Sequence, residues 1–399
     1  MFGISKICKA ITDLYASVAS YLQLIKYFQN NNGKKMCVCV SHAMSRSGAP
    51  QVLLEASRIL KKNGYSVCII SVRHGVLEKE ISDIDVFSCR FLEKVFMKTI
   101  LRFRPDVCIV NTIILSGWIE FLDANNIPTL WWIHEGKTYI EKYYEKYLKL
   151  KINNTEVYNV SEWSLEAFKS FVPDYEGKVL YYGISDKYKN EIVSKCDANV
   201  ITKKQSVQFV MTVIGTISER KNQAFVVQAF KKLPESMKSN MLLVFVGALN
   251  RQEQKYFDVF KSMIDSDDNI AYIPYVKHDE IKRVYEESDL VICASIDDPL
   301  PVVISEAMLY RTPFLTSRST GQYYMVCDGI NGFVFDESAV ENLTNKILQI
   351  YQLRQSLDGV GDRGFDLYQS YFSNQAFEKN LCAALNHVIE KRKNYGDKN

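Results

Sequence analysis

What most constrains this chain is an alternation that runs its length and then starts again. Short β-branched runs occur in the first half at Met36–Ser41, Ser66–Ser71, Asp106–Asn111, Thr129–His134, Glu156–Val160 and Lys178–Tyr182. Segments of helical periodicity separate them at 50–63, 91–103, 115–125, 138–150 and 162–171. After a polar stretch, 185–206, strands are expected at Val207–Gly215, Met241–Gly247, Asn269–Tyr275, Leu290–Ser295 and Pro313–Ser317. Helices fit at 222–233, 251–264, 278–287, 302–310 and 338–354. Such alternation signals βαβ units and parallel sheets. With 399 residues, 47% of them hydrophobic, there is ample material for two cores and too much for one. The expected division is an amphipathic helix over 1–30, a doubly wound domain over 31–185, a second over 186–373, and a terminal helix over 374–399. That last helix is long enough to return to the first domain. Open α/β sheets bind ligands beyond the carboxyl ends of their strands, so two facing domains would place one cleft between two sets of loops.

Bulk properties exclude several classes. Lys plus Arg (49) nearly balances Asp plus Glu (46), a formal charge of +3 that gives no field suited to nucleic acid. The ten cysteines are scattered with no C-x-x-C pair, which fits reduced thiols in a cytoplasmic protein. The five histidines are far apart, and no metal site is expected. No apolar run approaches the roughly 18–20 residues that span a bilayer. Residues 2–29 stand apart: Ile4, Ile7, Ile11, Leu14, Tyr15, Val18, Tyr21, Leu22 and Ile25 recur at helical spacing, near Lys6, Lys9 and Lys26. Two readings stay open, a helix on the inner face of a membrane and a helix packed on its own domain.

The sharpest chemical signal is Leu290–Ser317, LVICASIDDPLPVVISEAMLYRTPFLTS. A buried strand, a polar turn, Pro301 and a helix follow in order, which puts a helix N-terminus at a strand's carboxyl end. There the backbone N–H groups of Val302 and Val303 can face an anion, aided by the helix dipole. Asp298 in the turn and Glu306 one turn into the helix would flank it, and each carboxylate accepts two hydroxyl hydrogen bonds. This segment resembles the E-x7-E signature of retaining family 4 glycosyltransferases (glycosyl transferases group 1), which have the GT-B fold of two Rossmann-like domains. The chain departs from the usual form at Asp298, where the family has Glu, and at Arg311, where it has Gly. The resemblance implies that Glu306 binds the ribose hydroxyls and Asp298 those of the donor sugar.

Val213–Gln223 resembles the family segment that opens the C-terminal domain. Gly215 allows a tight exit from the strand. Lys221 would project from a helix start toward the donor diphosphate, with Arg220 beside it as a second cation; Thr216 stands where the family often has Arg. Ser319–Gln322 resembles the loop that presents backbone N–H groups near diphosphate and sugar, through Thr320 and Gly321. Pro274 replaces a usual Gly near the base, so the nucleotide is not carried over, although a UDP-sugar is expected ahead of a GDP-sugar. In the first half, Ser47-Gly48-Ala49 after the first strand resembles the family's loop against phosphates and acceptor. Asn111 ends another strand and would line the acceptor site. His134, in Trp131-Trp132-Ile133-His134-Glu135, would by resemblance contact the transferred sugar.

The activity implied is metal-independent, retaining transfer of a hexose from a nucleotide-sugar to a glycan or lipid-linked glycan in surface polysaccharide synthesis. His134, Lys221 and Asp298 are the expected catalytic set, and no cofactor is expected. Asp83-Ile-Asp85 and Asp265-Ser-Asp267 match the D-x-D of metal-dependent glycosyltransferases, but such triplets are common by chance. Two alternatives remain at this point: a GT-B nucleotide-sugar epimerase or phosphorylase, and a non-catalytic subunit of a glycosylation complex. A membrane-bound 2–29 would favour a lipid-linked acceptor.

Overall fold

The computed structural model describes residues 2–147, 152–173, 175–184, 201, 207–265, 267–277 and 280–396. The chain divides into two compact units, residues 1–182 with 377–399, and residues 183–376. Apart from residue 201, the polar stretch expected at 185–206 lies outside the described residues beyond Ile184 and before Val207, as do positions 148–150 of the helix expected at 138–150.

The first unit is built on parallel strands β1 (Met36–Ser41), β2 (Ser66–Ser71), β3 (Asp85–Ser88), β4 (Val107–Asn111), β5 (Thr129–Ile133), β6 (Thr155–Asn159) and β7 (Lys178–Val179). They form one sheet in the order β3-β2-β1-β4-β5-β6-β7. The central strands are buried on both faces, which is why β1 and β4 read as continuous apolar runs. The helices are α1 (Phe2–Asn30), α2 (Gly48–Lys62), α3 (Glu93–Phe103), α4 (Ser116–Ala124), α5 (Lys137–Tyr147) and α6 (Glu162–Lys169). Leu24 and Phe28 of α1 enter the unit's core with Phe96 and Ile100 of α3 and Trp118 of α4. The packed reading of residues 2–29 therefore holds for one face of that helix.

The second unit repeats the plan with β8 (Phe209–Ile214), β9 (Met241–Val246), β10 (Ile270–Ile273), β11 (Leu290–Cys293), β12 (Phe314–Ser317) and β13 (Phe333–Phe335). Their order is β10-β9-β8-β11-β12-β13, all parallel. Its helices are α7 (Gln223–Lys231), α8 (Glu235–Lys238), α9 (Gln254–Ile264), α10 (Ile281–Glu286), α11 (Val302–Leu309), α12 (Val340–Gln352) and α13 (Leu357–Leu367). A last helix, α14 (Asn374–Gly396), belongs from Phe377 on to the first unit. There Phe377 lies against Trp132 at 5.7 Å between ring centroids, and Glu378 accepts from Asn63 at 2.8 Å.

Four elements were not expected from the sequence, the single-turn α8 among them. The strands β3 and β13 lie at sheet edges and are too short to show a period. Helix α13 carries Gly359, Gly361 and Gly364, which lower helix propensity. Packing overrides that cost: a Cβ on Gly361 would sit 2.0 Å from the Arg311 carbonyl oxygen, so glycine lets α13 close against the turn after α11. Among the described residues no helix is long and apolar enough to cross a membrane.

Candidate functional site

In the second unit the site begins with two glycines. Gly215, just past β8, has φ +143°, and Gly247, just past β9, has φ +149°. A Cβ on Gly247 would lie 2.1 Å from the Gly215 carbonyl oxygen. Only a bare backbone there lets the chain leaving β8 cross the end of β9, where the Ile217 N–H donates to Ala248 O at 2.9 Å. The chain then makes a single tight turn, Glu219–Lys221, before α7. Arg220 and Lys221 sit on that turn, and both reach the Asp298 carboxylate. Lys221 Nζ lies 2.6 Å and Arg220 Nη1 2.8 Å from the same Oδ2. Asp298 is only 8% exposed. Burial alone would push its carboxyl up, but Lys221 and then Arg220 outweigh this and hold it below the usual range.

The Asp298 backbone also ties in the next loop. Its N–H donates to Ser319 O at 3.0 Å, and its carbonyl accepts from the Gly321 N–H at 3.1 Å. In this conformation the Gly321 N–H is therefore engaged, and the Thr320 hydroxyl turns inward to Thr316 Oγ1 and Ser317 O. Helix α11 begins one residue after the expected proline position, with Pro301 as its N-cap. Val302 is exposed at the tip and Val303 buried, and their first-turn N–H groups have no acceptor within the helix. One turn on, Glu306 is half-buried and accepts from the Tyr285 hydroxyl at 2.6 Å. Burial and the Glu306 charge push the Tyr285 phenol well up, so it stays a donor. Gln322 clamps the loop to the helix, donating to Pro301 O at 2.9 Å and Ser305 Oγ at 3.1 Å, while its own Oε1 is buried without a partner.

The departures from the family pattern have local accounts. Arg311 lies in the left-handed region at φ +57°, where glycine is the unstrained choice. Its side chain is held by Asp362 at 2.5 Å and lies 3.9 Å from the Phe365 ring centroid. Thr216 is exposed and accepts through its carbonyl from Gln223 Nε2 at 3.0 Å. Neither aspartate triplet gathers a site: Asp83 is bonded by Arg58 at 2.7 Å, and Asp265 by Lys261 one turn back on α9.

In the first unit, three adjacent strands deliver polar groups to one edge. The registers Val40↔Val110 and Asn111↔Trp132 put His42, just past β1, Asn111 and Thr112 at the end of β4, and His134 and Glu135, just past β5, side by side. Asn111 Nδ2 donates to Ala49 O at 2.8 Å and so fixes the Ser47-Gly48-Ala49 loop against β4. A Cβ on Gly48 would meet nothing within 4 Å, so open space lies in front of it. Thr112 has φ +78°, a strained conformation for a β-branched residue. It is held there from several sides: its N–H donates to Trp132 O, and its carbonyl accepts from Trp131 Nε1, both at 2.8 Å. Glu135 then takes the Ile113 N–H at 3.2 Å and the His134 N–H at 2.9 Å.

This edge is electrostatically unusual. Burial, then repulsion from His42, lowers the His134 imidazole to about 3, so the ring is neutral at physiological pH. Burial raises the Glu135 carboxyl to about 7, against three backbone N–H groups that favour its charge. His42 Nδ1, Asn111 Oδ1, Thr112 Oγ1 and His134 Nε2 are all buried with no partner among the described residues. Buried polar atoms are rarely left so, and four at neighbouring strand ends are free to exchange hydrogen bonds with hydroxyl groups. Sequence reasoning had singled out Asn111 and His134 but gave no role to His42, Thr112, Glu135, Tyr285 or Gln322. Tyr285 lies 21 residues from Glu306, and only the folded register of α10 and α11 brings them together.

Comparison with known proteins bears on both units. Residues 197–365 match the family model for glycosyl transferases group 1. Residues 32–173 match that for glycosyl-transferase family 4. The spore coat protein SA of Bacillus subtilis is 27% identical over 46% of this chain and 49% of its own length. The lipopolysaccharide glucosyltransferase WaaG of Escherichia coli is 22% identical over 36% of this chain and 37% of its own. The chain thus spans about half the length, or less, of the curated relatives it matches. Anabaena HepE, solved in complex with UDP, superposes with a TM-score of 0.72 at 18% identity, covering 88% of this chain and all of that one. The second unit thus belongs to the glycosyl transferases group 1 and the first to glycosyl-transferase family 4, and the chain has the two-unit architecture of the GT-B fold.

Proposed function

We propose that the chain transfers a hexose from a nucleotide-sugar, a UDP-sugar ahead of a GDP-sugar, to a glycan or lipid-linked glycan of a surface polysaccharide. The observation that carries this reading is the convergence of Lys221, Arg220, Asp298 and the start of α11 at one set of strand ends, with Glu306 one turn beyond. A diphosphate fits the two cations and the helix N-terminus, and a ribose diol fits Glu306. The UDP held by Anabaena HepE, and the lipopolysaccharide glucosyltransferase among the relatives, are in keeping with this donor and this acceptor class.

In the proposed reaction the bond between the anomeric carbon and the β-phosphate oxygen breaks, and its electron pair stays on the phosphate. Lys221, Arg220 and the α11 N–H groups lower the cost of that charge by being in place beforehand. The acceptor hydroxyl attacks from the same face, its proton passes to the departing phosphate oxygen, and configuration is retained without a metal. Asp298, bonded to both cations, aligns them and supplies the sugar contact only once the phosphate has drawn them away. The first unit's strand-end groups, His134 foremost, bind sugar hydroxyls, and Gly48 leaves room for phosphate or acceptor.

The test is donor turnover by purified variants. Lys221→Ala and Glu306→Ala are each expected to lower turnover by at least roughly a hundredfold while the protein stays folded. Wild-type turnover in either variant overturns the assignment.

A further inference from the structure

Helix α1 carries more apolar surface than its own unit covers. Its core-facing side is anchored along the parallel helix α3 and the edge strand β3. Tyr21 meets Phe96 at 5.8 Å between ring centroids, Phe28 meets Phe103 at 5.0 Å, and Tyr27 meets Phe87 at 5.7 Å. A second apolar row, Ile11, Leu14, Tyr15, Val18 and Leu22, follows the i, i+3, i+4, i+7, i+11 spacing of one helix face. These five side chains are 42% to 74% exposed. The Asp13–Arg90 pair, at 2.5 Å, draws the start of α3 alongside, where Phe91 and Val95 are exposed as well.

Charge around the row is predominantly basic. Arg90, Lys94, Lys98 and Arg102 on or beside α3, and Lys26 on α1, are all exposed. Against them stand Asp13, already bonded to Arg90, Glu93, whose carboxyl is raised by burial, and Asp85, exposed beside Lys26 and Tyr27. The family model begins at residue 32, so α1 lies wholly outside the part of the chain that the family fold accounts for. The core needs only one of its faces, and the exposed row needs another explanation.

We infer that α1 and α3 form a docking surface for an anionic lipid bilayer. The row from Ile11 to Leu22 sinks into the boundary between headgroups and acyl chains, and the basic rim engages acidic headgroups. A straight apolar row beside cations on a surface helix that is long enough to span but too polar to do so is the arrangement that binds in the plane of an interface. The two readings of residues 2–29 then describe two faces of one helix. This inference does not depend on the donor assignment.

The test is co-sedimentation of the full chain with phosphatidylcholine vesicles, with and without phosphatidylglycerol. The wild-type protein is expected to sediment with the anionic vesicles, and less so as salt is raised. The variant Ile11→Ser/Tyr15→Ser/Leu22→Ser, altered only at exposed positions, is expected to lose partition by roughly tenfold or more. Lys94→Glu/Lys98→Glu is expected to erase the preference for phosphatidylglycerol. Unchanged unfolding temperature, and unchanged stabilisation by UDP, keep a failure here distinct from a failed fold or donor site. Wild-type protein that sediments with neither vesicle overturns the inference, as does a serine variant that partitions like wild type. So does a dimer, seen by light scattering, that the serine variant splits without any vesicle binding, because the face then belongs to a second copy.

Discussion

His134 and Glu135 share one enclosure and respond to it in opposite directions, since burial disfavours the charged form of each. The imidazole falls from 6.5 to about 3 and the carboxyl rises from 4.5 to about 7. The unfolded chain protonates its histidine below pH 6.5 while the folded one does not, so this group costs stability as pH falls from 6.5 toward 3. The unfolded chain ionises its glutamate above pH 4.5 while the folded one resists, so that group costs stability as pH rises from 4.5 toward 7. Across their common window the two slopes oppose each other. Removing one should expose the other: in His134→Gln the unfolding temperature should decline between pH 4.5 and 7, and in Glu135→Gln it should climb between pH 3 and 6.5. Unfolding curves across pH check this, and parallel profiles in the two variants would contradict it. At this scale legibility follows residue type. Lys221, Asp298 and Glu306 were readable because a charged group at a fixed spacing is itself a signal. Thr112 was not: threonine is a poor choice for φ +78°, and nothing in its neighbours announces the strain.

Elements were legible where they are long and regular. The strands β1, β2, β9 and the helix α11 fall within a residue of where periodicity puts them, because buried parallel strands are continuous apolar runs and α11 follows a proline. Of the misses, β3, β13 and α13 are elements whose existence depends on what lies beside them, and α8 is a single turn. Gly247 shows the same dependence from the side of the site. It resembles any glycine at a strand end, yet it is the residue that lets the Gly215–Lys221 segment cross β9. Gly247→Ala combines a steric collision with an unfavourable φ. It should destabilise the protein by about 3 kcal/mol or more, and it should weaken nucleotide binding by shifting the Arg220–Lys221 turn. Denaturant unfolding and a nucleotide titration on the same variant measure the two effects. Wild-type stability would show that the turn tolerates a side chain there.

For the whole molecule, the alternation of short strands and helices was enough to expect two doubly wound units, and two parallel sheets are found. What the alternation does not encode is the division of chemistry. The second unit gathers charge: two cations on a buried aspartate, with a tyrosine-bonded glutamate beyond. The first gathers neutral polar atoms: a neutral imidazole, an amide oxygen and a hydroxyl without partners. One set suits a diphosphate and the other suits hydroxyl groups, in keeping with the transfer from a nucleotide-sugar to a glycan proposed above. The proposed function requires the second unit to bind a nucleoside diphosphate through Lys221 and Glu306, which calorimetric titration of UDP into the purified chain measures. Saturable binding at one site is expected, weakened at least roughly tenfold by Lys221→Ala and by Glu306→Ala, since each loses a charge-assisted contact. Absence of binding by UDP and by every other nucleoside diphosphate, or binding that neither substitution alters, would contradict it.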